Sequence, residues 1–427
     1  MGRRAVLLLI VVALLAASCG SRSDGGDSGA PDAPADNEEA AGESGGDGEF
    51  TTDVGVTDDT ITIGVIADLQ GVVPGLFKAA VDGVKAYAAK VNSEGGINGR
   101  ELVVTEFDTG TNDRGNADAY EDACDEVFAS VGSASAFDSG GRDAIEQCGF
   151  PMVNAFVTDD EVETFPFVFP RVSPDYAGVG PARYMAEQHP EAVRNAAMFY
   201  VNTPTIEQSA NNSMEARESV GWEFTYVQPV GQLESNYTPH AIEMKNRGVG
   251  AFVLVGDDNN IVRLQKALRD QQVDIAVADV STQGYSQDYL DAAGPAGVGS
   301  YVPLGHALFE EADQIPAMQE YLDWLEEVAP GENPTSNGLS AWIRAKLFVD
   351  AVSALGDDVT REALIRELEG ITDWDADGLI PARDIGEAVQ DESCFLLARV
   401  VEGGFEREFP DEGFHCSADD LYQYQDG

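Results

Sequence analysis

The segment from Ile61 to Asp108 constrains the fold of this chain more than any other part of its sequence. It opens with an apolar run rich in β-branched residues, Ile61–Ala67, which predicts a strand buried on both faces, as in a parallel sheet. Apolar residues then recur every three or four positions over Phe77–Val91, which predicts an amphipathic helix that ends at Gly95-Gly96. A second strand, Leu102–Phe107, completes a β-α-β unit.

The same alternation continues through most of the chain. Two blocks, 60–172 and 176–302, each contain a full set of β-α units, and regular alternation of this kind predicts doubly wound parallel sheets. Further strands are predicted at Val127–Gly132, Met152–Val157, Ala196–Val201, Phe224–Val227, Ala251–Val255 and Ile275–Val280. Further helices are predicted at Asn112–Asp125, Tyr176–Gln188, Ile206–Val220, Pro239–Arg247, Ile261–Asp270, Ile315–Glu327 and Ser340–Leu355.

A set of short motifs within the first unit points to a known family. Asn92, Gly95-Gly96-Ile97-Asn98-Gly99-Arg100 and Asp108, in this order, resemble the signature of type I periplasmic solute-binding proteins of ABC importers. The nearest resemblance is to the leucine/isoleucine/valine-binding branch, the branched-chain amino acid family. It implies an α/β fold of two Rossmann-like lobes, joined by a three-strand hinge, with a ligand cleft between them.

The resemblance also implies that each lobe is built from two separate parts of the chain. The three crossings are expected near Val172–Tyr176, Tyr301–His306 and Asp373–Asp377. Lobe 1 then comprises residues 59–173 and 305–372, and lobe 2 comprises residues 174–304 and 373–427.

Residues 1–18 read as a lipoprotein signal peptide, and residues 19–58 as a disordered acidic Gly/Ser-rich tether. Arg3 and Arg4 precede a short apolar run, and Ala16-Ala17-Ser18-Cys19 resembles a lipoprotein cleavage box, with Cys19 as the lipidated residue. The alternative is ordinary secretion with cleavage near Ser18. We expect an extracytoplasmic protein, anchored by lipid to the outer face of the cell membrane or periplasmic.

The charge of the chain excludes some classes of partner. With 76 acidic against 25 basic residues, the formal net charge is −51, so nucleic acid and anionic lipid surfaces are repelled. The membrane is therefore expected to be contacted only through the N-terminal lipid.

Four cysteines remain once Cys19 is set aside, and disulfides persist in exported proteins. Of the three possible pairings, Cys124–Cys148 with Cys394–Cys416 is the local one. A metal site is the competing interpretation, but no Cys-x-x-Cys occurs and the four histidines share no ligand spacing. We expect no cofactor.

The loops that follow the strands of lobe 1 contain the first candidate ligand-binding residues. Small residues and hydroxyl groups before a helix N-terminus suit a carboxylate, and Ser133, Ser135 and Phe137 lie in such a loop. Relatives use the equivalent loop to hold an amino acid's α-carboxylate, whereas the alternative is that Ser133, Ser135 or Asp138 only caps the helix. The resemblance adds Leu76, Val157 and Thr158 as further lining residues.

The loops of lobe 2 contain the second group, which is Asn202, Thr203, Asp257, Asp258 and Gln283. Relatives that bind α-amino acids tend to place an aromatic residue where Asn202 and Thr203 lie, and an acid where Ser281 and Gln283 lie. An acid for the ligand's ammonium group is thus not in the usual place. Either Asp257 or Asp258 replaces it, or both only cap a helix.

An acidic turn is the only weak candidate for a metal. Asp373, Asp375, Asp377 and Asp384 have the spacing of an EF-hand-like calcium loop, with Gly378 at the sixth place. Pro381 and the lack of a following long helix count against calcium, and the alternative is a solvated turn at the third crossing.

We therefore expect a solute-binding lipoprotein that captures a small polar ligand, an amino acid or a related amide or acid. The expected partners are that ligand and the permease subunits of an ABC importer, and we expect a monomer. The alternatives are a ligand-sensing module not coupled to transport, and a secreted α/β enzyme. Signatures of the common hydrolase, metalloprotease and phosphate-binding sites are missing from the sequence.

Overall fold

The computed structural model describes residues 53–71, 75–256, 258–388 and 393–424, which form 15 strands and 13 α-helices. The strands are β1 Thr60–Ala67, β2 Glu101–Asp108, β3 Ala129–Val131, β4 Met152–Val153, β5 Val168–Phe169, β6 Tyr176–Gly178, β7 Ala196–Val201, β8 Phe224–Val230, β9 Ala251–Val255, β10 Val277–Asp279, β11 Tyr301–Leu304, β12 Cys394–Val401, β13 Gly404–Phe409, β14 His415–Cys416 and β15 Leu421–Gln423. The helices are α1 Lys78–Ser93, α2 Asp113–Glu126, α3 Asp138–Cys148, α4 Asp160–Glu163, α5 Gly180–Gln188, α6 Pro190–Val193, α7 Pro204–Glu218, α8 Thr238–Arg247, α9 Asp258–Asp270, α10 Gln287–Ala293, α11 Pro316–Val328, α12 Ser336–Leu355 and α13 Arg361–Gly370.

Lobe 1 is built on a parallel sheet with the strand order β2-β1-β3-β4-β5. Successive side chains of β1 point to opposite faces, because a strand has a period of two. Ile63 and Val65 pack with α1, α11 and α12 on one face, while Ile66 packs with α2 and α3 on the other. The sheet is therefore covered by helices on both faces, as the apolar run of β1 predicts.

Lobe 2 contains a larger mixed sheet with the order β13-β12-β11-β10-β9-β7-β8. The strands from β8 to β11 are parallel, whereas the C-terminal strands β12 and β13 add to β11 in antiparallel fashion. β14 pairs with β12, and β15 pairs with β6 as a separate ribbon. The α/β class and the doubly wound parallel sheets predicted from the sequence are thus confirmed.

Two segments that cross between the lobes each lie against the stretch from Leu379 to Ile385. The first follows β5, where the N–H of Arg171 donates to the carbonyl of Ile385 at 3.1 Å. The second follows β11, where the N–H of Ala307 donates to the carbonyl of Leu379 at 2.8 Å. The side chain of Ile385 still belongs to the core of lobe 1, and Cys394 begins β12 in the sheet of lobe 2.

The third crossing therefore comes later in the chain than Asp373–Asp377, where we expected it. Ala376, Leu379 and Ile385 are buried in the lobe 1 core, and a backbone pair between Trp374 and Arg383 closes this segment into a turn. The turn packs on lobe 1 through these apolar side chains. This packing could not be predicted from the sequence, because the segment is dominated by acidic residues.

The residues of the family signature hold the first β-α-β unit together. The Asn92 side chain at the end of α1 exchanges two hydrogen bonds with the backbone of Leu102 in β2, at 2.8 and 2.9 Å. Asp108 at the end of β2 accepts from the backbone N–H groups of Leu69 and Gln70 at 3.1 Å, which fixes the loop after β1. The signature thus has a structural role.

Both predicted disulfides are present. Cys124–Cys148 joins the C-terminal parts of α2 and α3, and Cys394–Cys416 joins β12 to β14. Within the described ranges, none of the helices is long and apolar enough to span a membrane. Cys19 and the expected signal peptide lie outside the described residues.

Candidate ligand-binding cleft

The carboxyl ends of the strands in the two sheets lie on either side of the hinge. The first crossing leaves from the carboxyl end of β5, and the second leaves from the carboxyl end of β11. Because parallel strands all end at the same edge, the loops that follow them in both lobes border the space between the lobes. Ligands of open parallel sheets bind outside such edges.

The edge of lobe 1 carries exposed apolar side chains. Leu76 and Phe156 are 40% and 44% exposed, although both are large and apolar. The ring of Phe77 lies 5.9 Å from that of Phe156, and Phe137, in the loop after β3, is half-buried. Exposed apolar side chains grouped at a cleft edge suit the apolar part of a ligand.

Two helices begin at this edge without a capping side chain. Phe77 is the N-cap residue of α1 and Phe137 is the N-cap residue of α3, and neither side chain accepts a hydrogen bond there. The hydroxyl of Ser135 accepts from the N–H of Phe137 at 3.1 Å, so Ser135 contacts the backbone at the start of α3 and the capping alternative stays a prediction.

The hydroxyl group of Ser133 is bound inside lobe 1. It accepts from the backbone N–H of Ile66 in β1 at 2.8 Å and lies 2.7 Å from the hydroxyl of Ser130. Ser133 is almost completely buried. Its side chain thus joins the loop after β3 to the neighbouring strand, while its carbonyl accepts from the N–H groups of Ala155 and Phe156.

The hydroxyl group of Ser135 is bound to a buried acid. It donates to Oδ1 of Asp68 at 2.8 Å and accepts from the Asn116 amide at 3.0 Å. Oδ2 of Asp68 accepts from the N–H of Ala136 at 2.9 Å, and Thr109 donates to Oδ1. Both candidate serines are therefore brought together in one loop, with their hydroxyls already hydrogen-bonded to the protein.

A second buried acid, Asp138, lies behind the same loop. It accepts from the N–H and the hydroxyl of Thr158 at 3.0 and 3.3 Å, and from Asn116 at 3.4 Å. Burial raises the pKa of Asp138 to about 7, and the nearby Asp68 acts in the same direction. Thr158, a candidate residue, also donates to the carbonyl of Ser135 at 3.1 Å, so it ties the loops after β3 and β4 together.

The edge of lobe 2 is more polar. Asn202 is exposed after β7, and Thr203 is the N-cap residue of α7, where its hydroxyl accepts from Ile206 at 3.4 Å. Asp258 begins α9, and Gln283 lies in a 3-10 turn after β10. Asp257 lies outside the described residues. The four candidates that are described thus follow three adjacent strands of one sheet.

The turn after β10 contains a strained residue. Ser281 has φ 55° and ψ −178°, a combination that is essentially restricted to glycine. Its N–H donates to Oδ1 of Asp279 at 3.2 Å, and the buried Asp279 forms an ion pair with Arg217 at 2.7 Å. The side chain and the charge of Asp279 thus hold the backbone at the cleft edge in this shape.

Hydrogen bonds that join the lobes lie beside the second crossing. The hydroxyl of Tyr285 in lobe 2 accepts from the N–H of Phe309 at 2.7 Å and donates to Glu310 at 2.6 Å. Arg407 in β13 forms an ion pair with Glu311, with Nη2 2.7 Å from Oε2. These contacts fix one side of the cleft, at the hinge.

The carboxylates of the acidic turn, residues 373–384, contact groups of the protein. Lys346 lies 3.0 Å from Asp377, and Asp384 accepts from the N–H of Asp373 at 2.9 Å. Asp375 accepts from the N–H of Asp377 at 3.0 Å. Across the described part of the chain, no group of three or more His, Cys, Asp or Glu side chains has the arrangement of a metal site.

Sequence reasoning missed Asp68, which contacts both the loop after β3 and Thr109. Its position directly after the buried strand β1, at the carboxyl edge of the sheet, was a usable signal. Arg344, in the middle of the apolar helix α12, was also missed, although a lone arginine between buried residues is unusual.

Comparisons with known proteins agree with this architecture. A family model described as periplasmic binding protein matches residues 60–405. A search of curated proteins by sequence returns no match. Many solved structures resemble the chain, at sequence identities that establish the fold alone.

Three of these structures are representative. A fatty acid ABC transporter substrate-binding protein from Thermomonospora curvata has a TM-score of 0.71 at 18% identity, over 87% of this chain and 96% of that one. A leucine-binding protein from Thermotoga maritima has a TM-score of 0.67 at 16% identity, over 84% of this chain and all of the other. A branched-chain amino acid transporter substrate-binding protein from Streptococcus pneumoniae, in complex with isoleucine, has a TM-score of 0.67 at 17% identity, over 82% and 100%.

The relatives are substrate-binding proteins, and the family model covers most of the chain. The two lobes and their parallel sheets match those of the type I members among these structures. The chain belongs to the periplasmic binding protein family.

Proposed function

We propose that this protein is an extracytoplasmic solute-binding lipoprotein that captures a small ligand between its lobes and delivers it to an ABC importer. The observation that supports this most is the pair of carboxyl edges that border the space between the lobes, one lined by exposed apolar residues and the other by polar ones. A ligand with a polar and an apolar part would contact both edges, and only a closed form makes both sets of contacts.

The proposed lining residues follow from their positions. In lobe 1 they are Leu76, Phe137, Val157 and Thr158, and in lobe 2 they are Asn202, Thr203, Asp258 and Gln283. Asp257, which lies outside the described residues, is proposed from its place in the sequence alone. Ser133 and Ser135 act on the shape of their loop, because their hydroxyls are bound to Ile66 and Asp68.

The named ligands of the relatives support the ligand class. Leucine, isoleucine and fatty acids are the ligands in the titles of the similar structures, and each combines a carboxyl group with an aliphatic part. The exposed Leu76 and Phe156 suit such an aliphatic part. We therefore propose an amino acid or a related amide or acid with an apolar side.

A thermal-shift screen tests the binding function. Purified protein without its N-terminal 18 residues is melted with leucine, isoleucine, valine, their amides, and straight and branched carboxylic acids of four to ten carbons. We expect at least one compound to raise the melting temperature with saturation, because a ligand that binds only the folded state stabilises it by RT ln(1 + [L]/Kd). A failure of every compound, and of a small-molecule extract of the host cells, would contradict the function.

The anchoring is tested separately. Replacing Cys19 with Ser removes the sulfur that lipid would modify, so we expect the protein to move from the membrane fraction to the medium or periplasm. Full retention of the Cys19→Ser protein in the membrane fraction would contradict lipidation, without bearing on ligand binding.

A further inference from the structure

Arg344 is a cation inside lobe 1 that has no acidic partner among the described residues. It lies in α12 between the buried residues Ile343 and Ala345, and its Nε and Nη1 atoms are buried and form no hydrogen bond. Two other partly buried arginines have partners for their guanidinium groups. Arg217 pairs with an acid at 2.7 Å, and Arg361 donates to three backbone carbonyls.

A second guanidinium group lies close to the first. Burial lowers the pKa of Arg383, and the neighbouring charge of Arg344 lowers it further. Burial also lowers the pKa of Arg344, to about 10, and among the described residues no carboxylate acts in the opposite direction. Arg344 is therefore still protonated at neutral pH, in a chain with 76 acids and only 25 bases.

The two cations lie at the hinge side of lobe 1. Nη2 of Arg383 donates to the carbonyl of Arg171 in the first crossing at 3.2 Å. The helix α12 begins beside the second crossing, where Ser336 lies 2.9 Å from Nε2 of His306. Side chains in a helix lean toward its N-terminus, so the guanidinium group of Arg344 is directed toward the hinge end of α12.

This arrangement carries an electrostatic cost in the free protein. A charge removed from water without a partner destabilises the folded state, and a neighbouring charge of the same sign adds to that cost. A carboxylate is the matching partner, because the guanidinium fork presents two parallel N–H donors to its two oxygens. Binding of such an anion would therefore remove a penalty as well as form hydrogen bonds.

The loop after β3 is less suited to a carboxylate. The buried carboxyl groups of Asp68 and Asp138 lie directly behind it, and Asp68 already accepts the hydroxyl proton of Ser135. A ligand carboxylate at this loop would meet acids, whereas at the hinge it would meet the guanidinium group of Arg344.

We propose that Arg344 binds the carboxylate of the captured ligand at the hinge side of the cleft. This proposal rests on the proposed function and specifies which end of the ligand is recognised. The apolar part of the ligand then extends toward Leu76 and Phe156.

The test compares Arg344→Met with the wild type. Methionine has a similar length and a high helix propensity, so it removes the charge while the packing of α12 is largely retained. The probes are 4-methylpentanoate and octanoate, each measured against its uncharged amide by calorimetric titration. Arg366→Met is the control, because Arg366 is an exposed arginine on the neighbouring helix α13.

Two results are expected. Wild type and Arg366→Met bind at least one carboxylate more than 10-fold tighter than its amide, and Arg344→Met loses this preference. Arg344→Met without ligand also melts at a higher temperature than the wild type, because an unpaired charge has been removed. This second measurement needs no ligand.

Three outcomes would overturn the inference. The first is an Arg344→Met protein that keeps the carboxylate preference, and the second is one that melts several degrees lower without ligand. The third is a wild-type protein that binds leucinamide or another uncharged compound better than any carboxylate. In that third case the solute-binding function stands, so the two proposals fail separately.

Discussion

The buried carboxyl group of Asp138 predicts an unusual dependence of stability on pH. Its pKa is raised from 3.8 to about 7 in the folded protein, chiefly by burial, against the opposing hydrogen bonds from Thr158 and Asn116. Since the folded state binds this proton more tightly than the unfolded state does, protonation stabilises the fold. The contribution is complete below about pH 4 and is lost as the pH rises to about 7.

The magnitude follows from the shift. A shift of one pKa unit corresponds to about 1.4 kcal/mol, so a change from 3.8 to about 7 gives roughly 4 kcal/mol at most. Asparagine cannot ionise, and its side-chain oxygen can still accept from the N–H of Thr158. We therefore expect Asp138→Asn to lose less stability than the wild type between pH 4 and pH 7, by up to about 4 kcal/mol.

The assay is urea unfolding of both proteins at half-unit steps from pH 4 to pH 8. Asp160→Asn serves as the control, because Asp160 is an exposed carboxylate in the short helix α4. Stability curves of wild type and Asp138→Asn that run parallel over this range would refute the assignment of a buried, proton-binding Asp138.

Three further predictions concern backbone shape, helix packing and cross-linking. Ser281→Gly should raise the free energy of unfolding of the free protein by about 1 kcal/mol, since the backbone strain at Ser281, about 1–3 kcal/mol, exceeds the entropy cost of glycine. An unchanged or lower unfolding midpoint would contradict this. Gly83→Ala should lower the melting temperature strongly, because the added Cβ would lie 2.1 Å from a backbone oxygen of α12. The control Gly370→Ala should leave it unchanged, because a Cβ at Gly370 has nothing within 4 Å. Removing the Cys124–Cys148 bridge as a double alanine variant should cost about 3 kcal/mol in chemical unfolding, and a cost below 1 kcal/mol would argue against the chain-entropy account.

The strands of the parallel sheets could be predicted from the sequence, because a strand that is buried on both faces of its sheet consists of a continuous run of apolar residues. Ala196–Val201 and Ala251–Val255 were predicted with the bounds that the structure has. The prediction was wrong at Tyr176–Gln188, where the first residues form strand β6 rather than helix. That strand pairs with β15 at the far end of the chain, and local periodicity contains no information about so distant a partner.

The sequence predicted which loops form the candidate site, but not the role of each side chain in those loops. The rule that ligands bind at the carboxyl edge of a parallel sheet selects these loops. The role of each side chain in them, however, depends on the residues that it contacts in the fold. Ser135 is 67 residues from Asp68 in sequence, and the two are hydrogen-bonded in the fold. The sequence did not distinguish Arg344 from a charged residue on an exposed helix face. Only the packing around it shows that its Nε and Nη1 atoms are buried and, within the described residues, form no hydrogen bond.

The pairing of β15 with β6 has a consequence for how the protein acquires its shape. Gln423, near the end of the chain, forms its ladder with Tyr176, and β12 and β13 complete one edge of the lobe 2 sheet only after residue 393 has been made. Lobe 1 in turn needs α12 and Ile385 to cover one face of its sheet. Each core therefore closes only after segments far apart in the sequence have both been made, up to Ile385 for lobe 1 and up to Gln423 for the ribbon of lobe 2.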